Sequence, residues 1–299
     1  MSSPRLPVVA VALGDPAGVG PELVARALAR PALRRRADWI LLGNAATLRN
    51  MPRGIGIDTL DTGGRSAGEA AWRALQAGID LCLTRGAGAL MTAPLNKAGL
   101  QAAGHRVSGQ TEILERRTGC PATMLLAGGD LRVDLVTVHV PLARVPRLVT
   151  ATRVRDTLVR TSEGLRRWFG IPKPRLAALG LNPHAGEGGL FGREELRAIA
   201  PGIAAARRDG VRADGPLPAD GALGCWKDGA YDAYVAMYHD QGLTALKAVA
   251  FREGVNVTLG LPFLRTSPDH GTAYALKGTG KADPGPTIAA LELAARAAS

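Results

Sequence analysis

Long hydrophobic runs, cysteines and aromatic side chains are all scarce in this sequence, and each scarcity excludes a class of protein. No apolar run in the 299 residues approaches the roughly 20 residues of a membrane-spanning helix, so we expect no membrane partner. The N-terminal stretch lacks the apolar core and cleavage site of a signal peptide. The three cysteines, Cys82, Cys120 and Cys225, are odd in number and far apart. They predict reduced thiols in a cytoplasmic protein, and they argue against a disulfide framework or a zinc ribbon.

The positive charge is large but dispersed. The formal net charge is +11, 31 of the 37 basic residues are Arg, and aromatic residues make up only 4% of the chain. Nucleic-acid-binding proteins usually gather their charge on one face and interleave it with aromatic side chains. The high charge makes a basic nucleic-acid-binding protein a rival hypothesis. Because the charge is dispersed and aromatic residues are few, we expect no nucleic-acid partner. The charge suits long-range attraction of small anionic substrates.

Short apolar runs alternate with amphipathic segments along the whole chain. Residues 7–13 have the continuous apolar character of a strand buried on both faces. Helical patterns cover residues 21–33, 67–83 and 153–169, whereas residues 49–64 are rich in turn residues and show no periodicity. This alternation predicts an α/β fold with a mostly parallel sheet. No shift in composition marks a domain boundary, so the two lobes and the cleft that we expect have uncertain limits.

The turn at residues 14–20, GDPAGVG, joins the first predicted strand to the first predicted helix. Such a turn can hold a phosphate group at a helix N-terminus. Its glycine spacing is neither the dinucleotide-binding fingerprint nor a P-loop. A plain tight turn is the equally good alternative.

Residues 235–285 combine short apolar runs with many polar and charged groups. A ligand site needs reactive groups that a scaffold positions on loops, so this stretch is the best candidate for one. The alternative is a set of ordinary loops whose polar groups are satisfied.

Three of the five histidines share one context, because His139, His184 and His239 each follow an apolar, strand-like run. The carboxyl ends of parallel strands emerge at one edge of a sheet, so these imidazoles are candidates for a common site. Three histidine ligands with an open position make a catalytic divalent-metal centre, for which Zn²⁺ is the first choice. The alternative is that each histidine is a hydrogen-bonded structural residue.

Six segments, taken in order, carry a specific resemblance. They cover residues 14–23 (GDPAGVGPEL), 92–97 (TAPLNK), 180–189 (GLNPHAGEGG), 215–220 (GPLPAD), 238–243 (YHDQGL) and 255–273 (VNVTLGLPFLRTSPDHGTA). As a set they resemble the 4-hydroxythreonine-4-phosphate dehydrogenase family of pyridoxine biosynthesis over nearly the whole chain. The resemblance implies a two-domain fold of the isocitrate and isopropylmalate dehydrogenase type with an interdomain cleft, and a homodimer whose subunits share active-site residues.

The resemblance also implies roles for individual residues. The metal ligands are expected at His139, His184 and His239, and the metal is expected to be Zn²⁺, with Mg²⁺, Co²⁺ and Ni²⁺ as alternatives. The substrate contacts are expected at Gln110, Thr111, Lys247, Asn256 and Arg265. The adenosine part of NAD or NADP is expected against His270, Gly271 and Thr272. The general base is expected among Asp220, Asp240 and Lys247, and Asp220 is equally suited to orient a metal-bound histidine.

The implied reaction oxidises 4-phosphooxy-L-threonine, a small phosphorylated hydroxy-amino acid, to a β-keto acid that loses CO₂. This chain departs from the family pattern at Gln110, where a substrate-contacting His is usual, and at Gly221-Ala222. The alternative substrates are therefore a phosphorylated threonate- or erythronate-type acid and a terephthalate-type dihydrodiol. The other rival is a non-oxidative acyl- or phosphoryl-transferring enzyme on a similar fold, which requires neither nicotinamide nor the three histidines.

Overall fold

A computed structural model describes residues 6–107 and 109–299 of the chain. The chain divides into two compact units, the first formed by Met1–Pro121 with Val255–Ser299 and the second by Ala122–Gly254. The cleft between lobes stays a prediction. Within the described ranges, no helix combines the length and the apolar character that crossing a membrane requires.

Strands and helices alternate along the chain. The strands are β1 (Val8–Ala12), β2 (Asp38–Gly43), β3 (Ile57–Asp61), β4 (Ala89–Thr92), β5 (Thr123–Gly128), β6 (Leu131–Leu135), β7 (Arg175–Leu179), β8 (Arg212–Leu217), β9 (Ala233–Ala236), β10 (Val255–Leu259) and β11 (Leu264–Pro268). The α-helices are α1 (Gly20–Leu28), α2 (Pro31–Arg34), α3 (Ala45–Leu48), α4 (Ala67–Leu83), α5 (Lys97–Ala102), α6 (Gln110–Thr118), α7 (Val145–Leu148), α8 (Ala151–Trp168), α9 (Ala200–Arg208), α10 (Ala219–Gly224), α11 (His239–Ala250) and α12 (Gly285–Ala298).

The first unit contains a sheet in the order β3, β2, β1, β4, β11, β10. All neighbours are parallel except β10, which pairs antiparallel with β11. Helix α4 packs on the face that carries Leu90, whose side chain lies against Gly78. Helix α12 packs on the other face, where the Thr266 hydroxyl donates to the Ala290 carbonyl at 2.9 Å. Because Arg265 is the register partner of Leu90 in parallel strands, it lies on the α4 face.

The second unit contains a sheet in the order β5, β6, β9, β7, β8. The β5–β6 hairpin is antiparallel and the remaining neighbours are parallel. One apolar core joins this sheet to α8 and α9 through residues such as Leu158 and Ile203. A second core joins the opposite face to α11 through Leu243 and Leu246. The sheet is therefore buried on both faces, which explains why its strands appear as continuous apolar runs in the sequence.

The α/β class and the mostly parallel sheets predicted from the sequence are confirmed, but three local predictions were wrong. Residues 49–64 contain β3, an edge strand that is mostly exposed and therefore has no apolar run to reveal it. The helix predicted over residues 21–33 ends at Leu28, because Pro31 has no N–H to continue it and starts α2 instead. Residues after 238, expected to be loop, begin α11 directly at His239.

A fully buried carboxyl group, that of Asp134, lies in the second unit. It accepts hydrogen bonds from the Thr123 hydroxyl at 2.9 Å, the Thr161 hydroxyl at 2.7 Å and the Leu135 amide at 2.8 Å. Burial raises the pKa of Asp134 to about 6, and the hydrogen bonds and the nearby Arg160 oppose this shift only in part. The buried carboxyl group therefore retains its proton into the range where an exposed aspartate is ionised.

We expect the Asp134→Asn substitution to remove a pH dependence from stability. The native pKa of Asp134 lies above the ordinary value of 3.8. The contribution of this carboxyl group to the free energy of unfolding is therefore complete below about pH 4 and is lost as the pH rises through about 6. The loss by pH 7.5 is on the order of 3 kcal/mol, because each pKa unit corresponds to about 1.4 kcal/mol. Denaturant unfolding at pH 4.5, 6 and 7.5 measures it. Asp130→Asn, at an exposed position in the β5–β6 turn, is the control, and parallel curves for wild type and Asp134→Asn would contradict the assignment.

Candidate functional site

A buried arginine organises the candidate site of the first unit. Arg265 is only 4% exposed, and its guanidinium donates to three neutral side-chain oxygens. They are Thr92 Oγ1 at 3.0 Å, Thr258 Oγ1 at 3.2 Å and Gln110 Oε1 at 2.8 Å. Burial lowers the pKa of Arg265 to about 10, so the group remains charged at neutral pH. A buried cation whose described partners are all neutral is suited to bind an anion.

Two of the three groups that hold this guanidinium were not predicted from the sequence. Thr92 ends β4 and Thr258 lies on β10 directly opposite Arg265. Strand pairing places both threonine side chains beside Arg265, because cross-strand partners point to the same face of a sheet. A threonine within an apolar strand is the only signal that the sequence offers for them.

Other predicted substrate contacts lie close to Arg265. Asn256 is opposite Ser267 in the β10–β11 pairing, so it shares the face of Arg265. Its side-chain oxygen is buried and has no hydrogen-bond partner in the part of the chain that the structure describes. Gln110 and Thr111 open helix α6, where both are half-buried. The structure thus brings Gln110 and Arg265 into contact and places Asn256 on the same face.

The second unit brings two of the three predicted metal-ligating histidines together. The rings of His139 and His239 are 5.4 Å apart between centroids and inclined by 44°. Both line a cavity of about 280 Å³, together with residues such as Tyr238 and Asp240. Two imidazole nitrogens on one tetrahedral ion, each about 2 Å from it, also place their ring centroids roughly 5 Å apart. The pair therefore fits a shared divalent cation.

Asp240 determines which nitrogen of His239 faces outward. Its carboxylate lies 2.7 Å from His239 Nδ1. An ionised carboxylate can only accept, so Nδ1 carries the proton and Nε2 keeps its lone pair. This is the tautomer that a metal ligand requires, and a carboxylate behind the ring is a common arrangement in metal sites.

Three strand ends of the second unit are tied together by side chains. The Thr137 hydroxyl donates to the Met237 carbonyl at 2.7 Å, which joins the end of β6 to the end of β9. The Gln241 amide accepts from the Met237 N–H and donates to the Gly180 carbonyl, both at 2.7 Å, which joins β9 to β7. Each of these strands is followed by one of the three histidines, so the hydrogen bonds hold the segments that carry them.

His184 lies in an unusual backbone turn. Residues 184–188 all have positive φ angles, including the non-glycine residues His184, Ala185 and Glu187. Glu195, which is 3% exposed, holds the start of this turn. It accepts from the Leu181 and Asn182 amides at 2.8 and 2.7 Å and from Asn182 Nδ2 at 2.9 Å. Burial alone raises the pKa of Glu195, but these hydrogen bonds outweigh it and the net shift is downward.

The complete histidine trio stays a prediction. His184 is exposed, and the centroid of its ring lies 6.1 Å from that of Phe191. In residues 6–107 and 109–299, no group of three or more His, Cys, Asp or Glu side chains has the spacing of a metal site. Of the remaining predicted groups, Lys247 is exposed on α11 and Asp220 is exposed on the first turn of α10.

The predicted cofactor residues begin a loop of the first unit. His270 Nδ1 lies 2.9 Å from the Gly271 carbonyl, which can only accept, so Nδ1 carries the proton. His270 Nε2 is then an acceptor, and it is buried without a hydrogen-bond partner among the described residues. The Thr272 carbonyl accepts from the Val19 amide at 2.9 Å.

Side chains fasten the rest of this loop, residues 273–283, to the N-terminal segment. The Tyr274 hydroxyl donates to Asp15 at 2.6 Å, and Lys277 donates to the Pro16 carbonyl at 2.7 Å. Glu22 and Arg26 of α1 add bonds to the loop backbone, from Gly278 N–H to Glu22 and from Arg26 to the Ala282 carbonyl. A cavity of about 450 Å³ lies beside these contacts, lined in part by Glu22, Arg26 and Lys277.

The turn at residues 14–20 is a site of close backbone packing. Gly14 has φ +71°, and a Cβ there would lie 2.3 Å from the Pro94 carbonyl oxygen. A Cβ on Gly18 would lie 2.8 Å from the Thr272 carbonyl oxygen. Glycine at these two positions therefore allows the neighbouring backbone to approach closely, as the tight-turn alternative requires. A phosphate-binding role for the turn stays a prediction.

Comparison with known proteins gives consistent similarities. Residues 34–294 match the family model described as pyridoxal phosphate biosynthetic protein PdxA. The chain is 45% identical over 328 residues to 4-hydroxythreonine-4-phosphate dehydrogenase of Geobacter metallireducens, covering 98% of this chain and 96% of the relative.

Two solved structures are similar over almost their full length. The 4-hydroxythreonine-4-phosphate dehydrogenase of Klebsiella pneumoniae has a TM-score of 0.88 at 37% identity, covering 100% of this chain and 99% of the other. The terephthalate 1,2-cis-dihydrodiol dehydrogenase of Burkholderia xenovorans LB400 has a TM-score of 0.72 at 29% identity, covering 98% of both chains.

We expect Glu195→Ala to destabilise the turn that carries His184. The substitution leaves three donors of Leu181 and Asn182 without their acceptor, a loss of about 2–4 kcal/mol from the free energy of unfolding of this segment. Hydrogen exchange at the Leu181 and Asn182 amides measures it. The matched control is Glu194→Ala, which removes only one bond from Asn182. Unchanged exchange protection in Glu195→Ala would contradict the role.

Proposed function

Because this chain belongs to the family described as pyridoxal phosphate biosynthetic protein PdxA, we propose that it is a 4-hydroxythreonine-4-phosphate dehydrogenase. It oxidises the secondary hydroxyl of 4-phosphooxy-L-threonine, and the resulting β-keto acid loses CO₂ to give 3-amino-2-oxopropyl phosphate. This activity requires a nicotinamide cofactor, either NAD or NADP, and a divalent metal ion, for which we propose Zn²⁺.

The buried cation is the observation that carries the proposal. In the described part of the chain, Arg265 has no carboxylate among its hydrogen-bond partners, so an oxyanion of the substrate supplies the missing negative charge. Arginine binds such groups in a bidentate manner. The partnerless oxygen of Asn256 accepts from a substrate donor on the same face, either the ammonium group or a hydroxyl. Thr111 provides a hydroxyl at the start of α6.

The histidine pair supports a metal-dependent reaction. His139 and His239 have the spacing of two ligands on one ion, and we propose His184 as the third. When bound, the divalent ion supplies a Lewis acid and the nicotinamide supplies the hydride acceptor. His239 presents Nε2 because Asp240 holds Nδ1. We therefore assign Asp240 a positioning role, which leaves Asp220 and Lys247 as the candidates for the general base.

The loop that begins at His270 is suited to bind the adenosine part of the cofactor. The buried Nε2 of His270 has no donor among the described residues, and the exocyclic amine of adenine can supply one. Gly271 and Thr272 continue the same loop. The bonds that tie the loop to Asp15, Pro16, Glu22 and Arg26 hold it in place before the cofactor arrives, which reduces the entropy lost on binding.

We also propose that the enzyme is a homodimer, as the family resemblance implies. Large apolar side chains near His184 are exposed, among them Leu190 at 74%, Phe191 at 50% and Leu196 at 55%. Exposed apolar side chains that lie close together are typical of protein–protein interfaces.

Absorbance at 340 nm tests the activity directly. We expect NAD(P)H formation with 4-phosphooxy-L-threonine, and a kcat/KM at least tenfold higher than with a phosphorylated threonate- or erythronate-type acid or with a terephthalate dihydrodiol. A tenfold ratio corresponds to about 1.4 kcal/mol of transition-state discrimination. A higher kcat/KM with either alternative would reassign the substrate. No reaction with any of the three would refute the proposed function.

We expect Asp240→Ala to weaken metal binding by roughly 10- to 100-fold, the usual effect of removing a group that orients a histidine ligand. Competition between the protein and a chromogenic chelator for Zn²⁺ measures the affinity. Chelation should abolish turnover, and added Zn²⁺ should restore it.

Asp240→Asn is the matched control for this experiment. Its amide oxygen still accepts from His239 Nδ1, so its Zn²⁺ affinity should remain within a few-fold of wild type. Equal affinity in all three proteins would exclude Asp240 as a positioning residue. Full turnover by protein that elemental analysis finds free of metal would refute the metal requirement.

A further inference from the structure

The side-chain amide of Gln110 connects Arg265 to the protein backbone. Its Oε1 accepts from Arg265 Nη2 at 2.8 Å, and its Nε2 donates to the Ala93 carbonyl at 3.3 Å. A carbonyl can only accept, so Ala93 requires the nitrogen end of the amide on its side. The oxygen end is thereby directed toward the guanidinium.

Among the described residues, the hydrogen bonds of Arg265 leave two of its donors unused. A guanidinium has five N–H groups, and Thr92, Thr258 and Gln110 each accept one, from Nε, Nη1 and Nη2 respectively. One N–H therefore remains on each terminal nitrogen. Two N–H groups on neighbouring nitrogens match the two oxygens of a carboxylate or phosphoryl group.

The acceptor at position 110 has to be neutral for this charge to remain available. A carboxylate there would form an ion pair with Arg265 and cancel the charge that attracts the substrate. A protonated imidazole would have no acceptor to offer and would place a second cation beside the first. The glutamine amide accepts at any pH at which the protein is folded and does not alter the net charge.

We propose that Gln110 is a positioning residue that acts through Arg265. It holds the guanidinium in place without neutralising it, so that the charge of Arg265 stays available to bind one oxyanion of the substrate. Gln110 thus strengthens substrate binding without contacting the reacting carbon. This inference rests on the proposed function for its substrate and deepens it by assigning the anion subsite its charge.

Two substitutions at Gln110 distinguish the effect of positioning Arg265 from the effect of the charge beside it. Gln110→Met keeps the length of the side chain and removes the acceptor, so Arg265 remains charged but loses one of its three bonds. Gln110→Glu keeps an acceptor of the same shape and adds a negative charge. The same two changes at Gln101, exposed on α5, are matched controls for helix propensity and for net charge.

The first measurement is steady-state kinetics with 4-phosphooxy-L-threonine. We expect Gln110→Met to raise KM about five- to tenfold with kcat within twofold of wild type, because the loss of one hydrogen bond to a charged group acts on ground-state binding. Gln110→Glu should raise KM more than tenfold. Both Gln101 variants should match wild type.

The second measurement needs no turnover. Inorganic sulfate keeps its double negative charge between pH 6 and 8.5, and its binding can be followed from the rise in Tm at constant ionic strength. We expect the sulfate affinity to fall in the order wild type, Gln110→Met, Gln110→Glu, with the same ratios across this pH range. Acetate titrated in parallel identifies the preferred oxyanion, because stronger binding of sulfate indicates the phosphoryl group and stronger binding of acetate the carboxylate.

Two results would overturn the inference. A KM and a sulfate affinity within twofold of wild type in Gln110→Met would mean that the amide does not position Arg265. Sulfate binding by Gln110→Glu as tight as by wild type would mean that the charge of Arg265 is not what the subsite uses. Failure of the proposed function has a different signature, since wild type would then form no NAD(P)H while the order of sulfate affinities persisted.

Discussion

The buried charge of Arg265 is the constraint on which the candidate site of the first unit depends. A guanidinium taken out of water is costly unless its donors are satisfied. Here a strand end, a cross-strand neighbour and the first residue of a helix each provide a neutral oxygen. These groups stabilise the cation without cancelling its charge. The pairing of β4, β10 and β11 and the start of α6 therefore all contribute to holding one buried cation.

In the second unit, side-chain hydrogen bonds link the ends of neighbouring strands. Gln241 bonds to the backbone beyond β9 and β7, and Thr137 bonds to the backbone beyond β9 from the end of β6. Glu195 then fixes the start of the positive-φ turn at His184. Parallel strands deliver the histidines to one edge of the sheet, and these bonds restrict where the loops can go from there. These side chains thereby limit the conformations of the segments that carry the histidines.

The fold class could be predicted from the sequence, and the site only in part. Apolar runs and helical periodicity indicated most elements, including α4 with both of its ends, because burial on one or two faces leaves a clear pattern. The edge strand β3 was missed because its exposed side chains follow no such pattern. His139 and His239 were expected at one site, and the centroids of their rings lie 5.4 Å apart. Thr92 and Thr258 were not recognised, since a threonine in a strand is ordinary until its cross-strand partner is known.

The amino-acid sequence by itself determined which chemical groups this protein has available and the order in which they follow strands and helices. It established that Arg265, Asn256 and three histidines each follow or lie within apolar runs. This much can be read from the sequence because hydrogen-bonding capacity and hydrophobicity are properties of single residues. Only the tertiary structure decided that Arg265 is paired with neutral oxygens and that Asp240 stands behind His239. These properties depend on distances between residues as much as 173 positions apart, and such distances arise from strand register and burial, which no local pattern records.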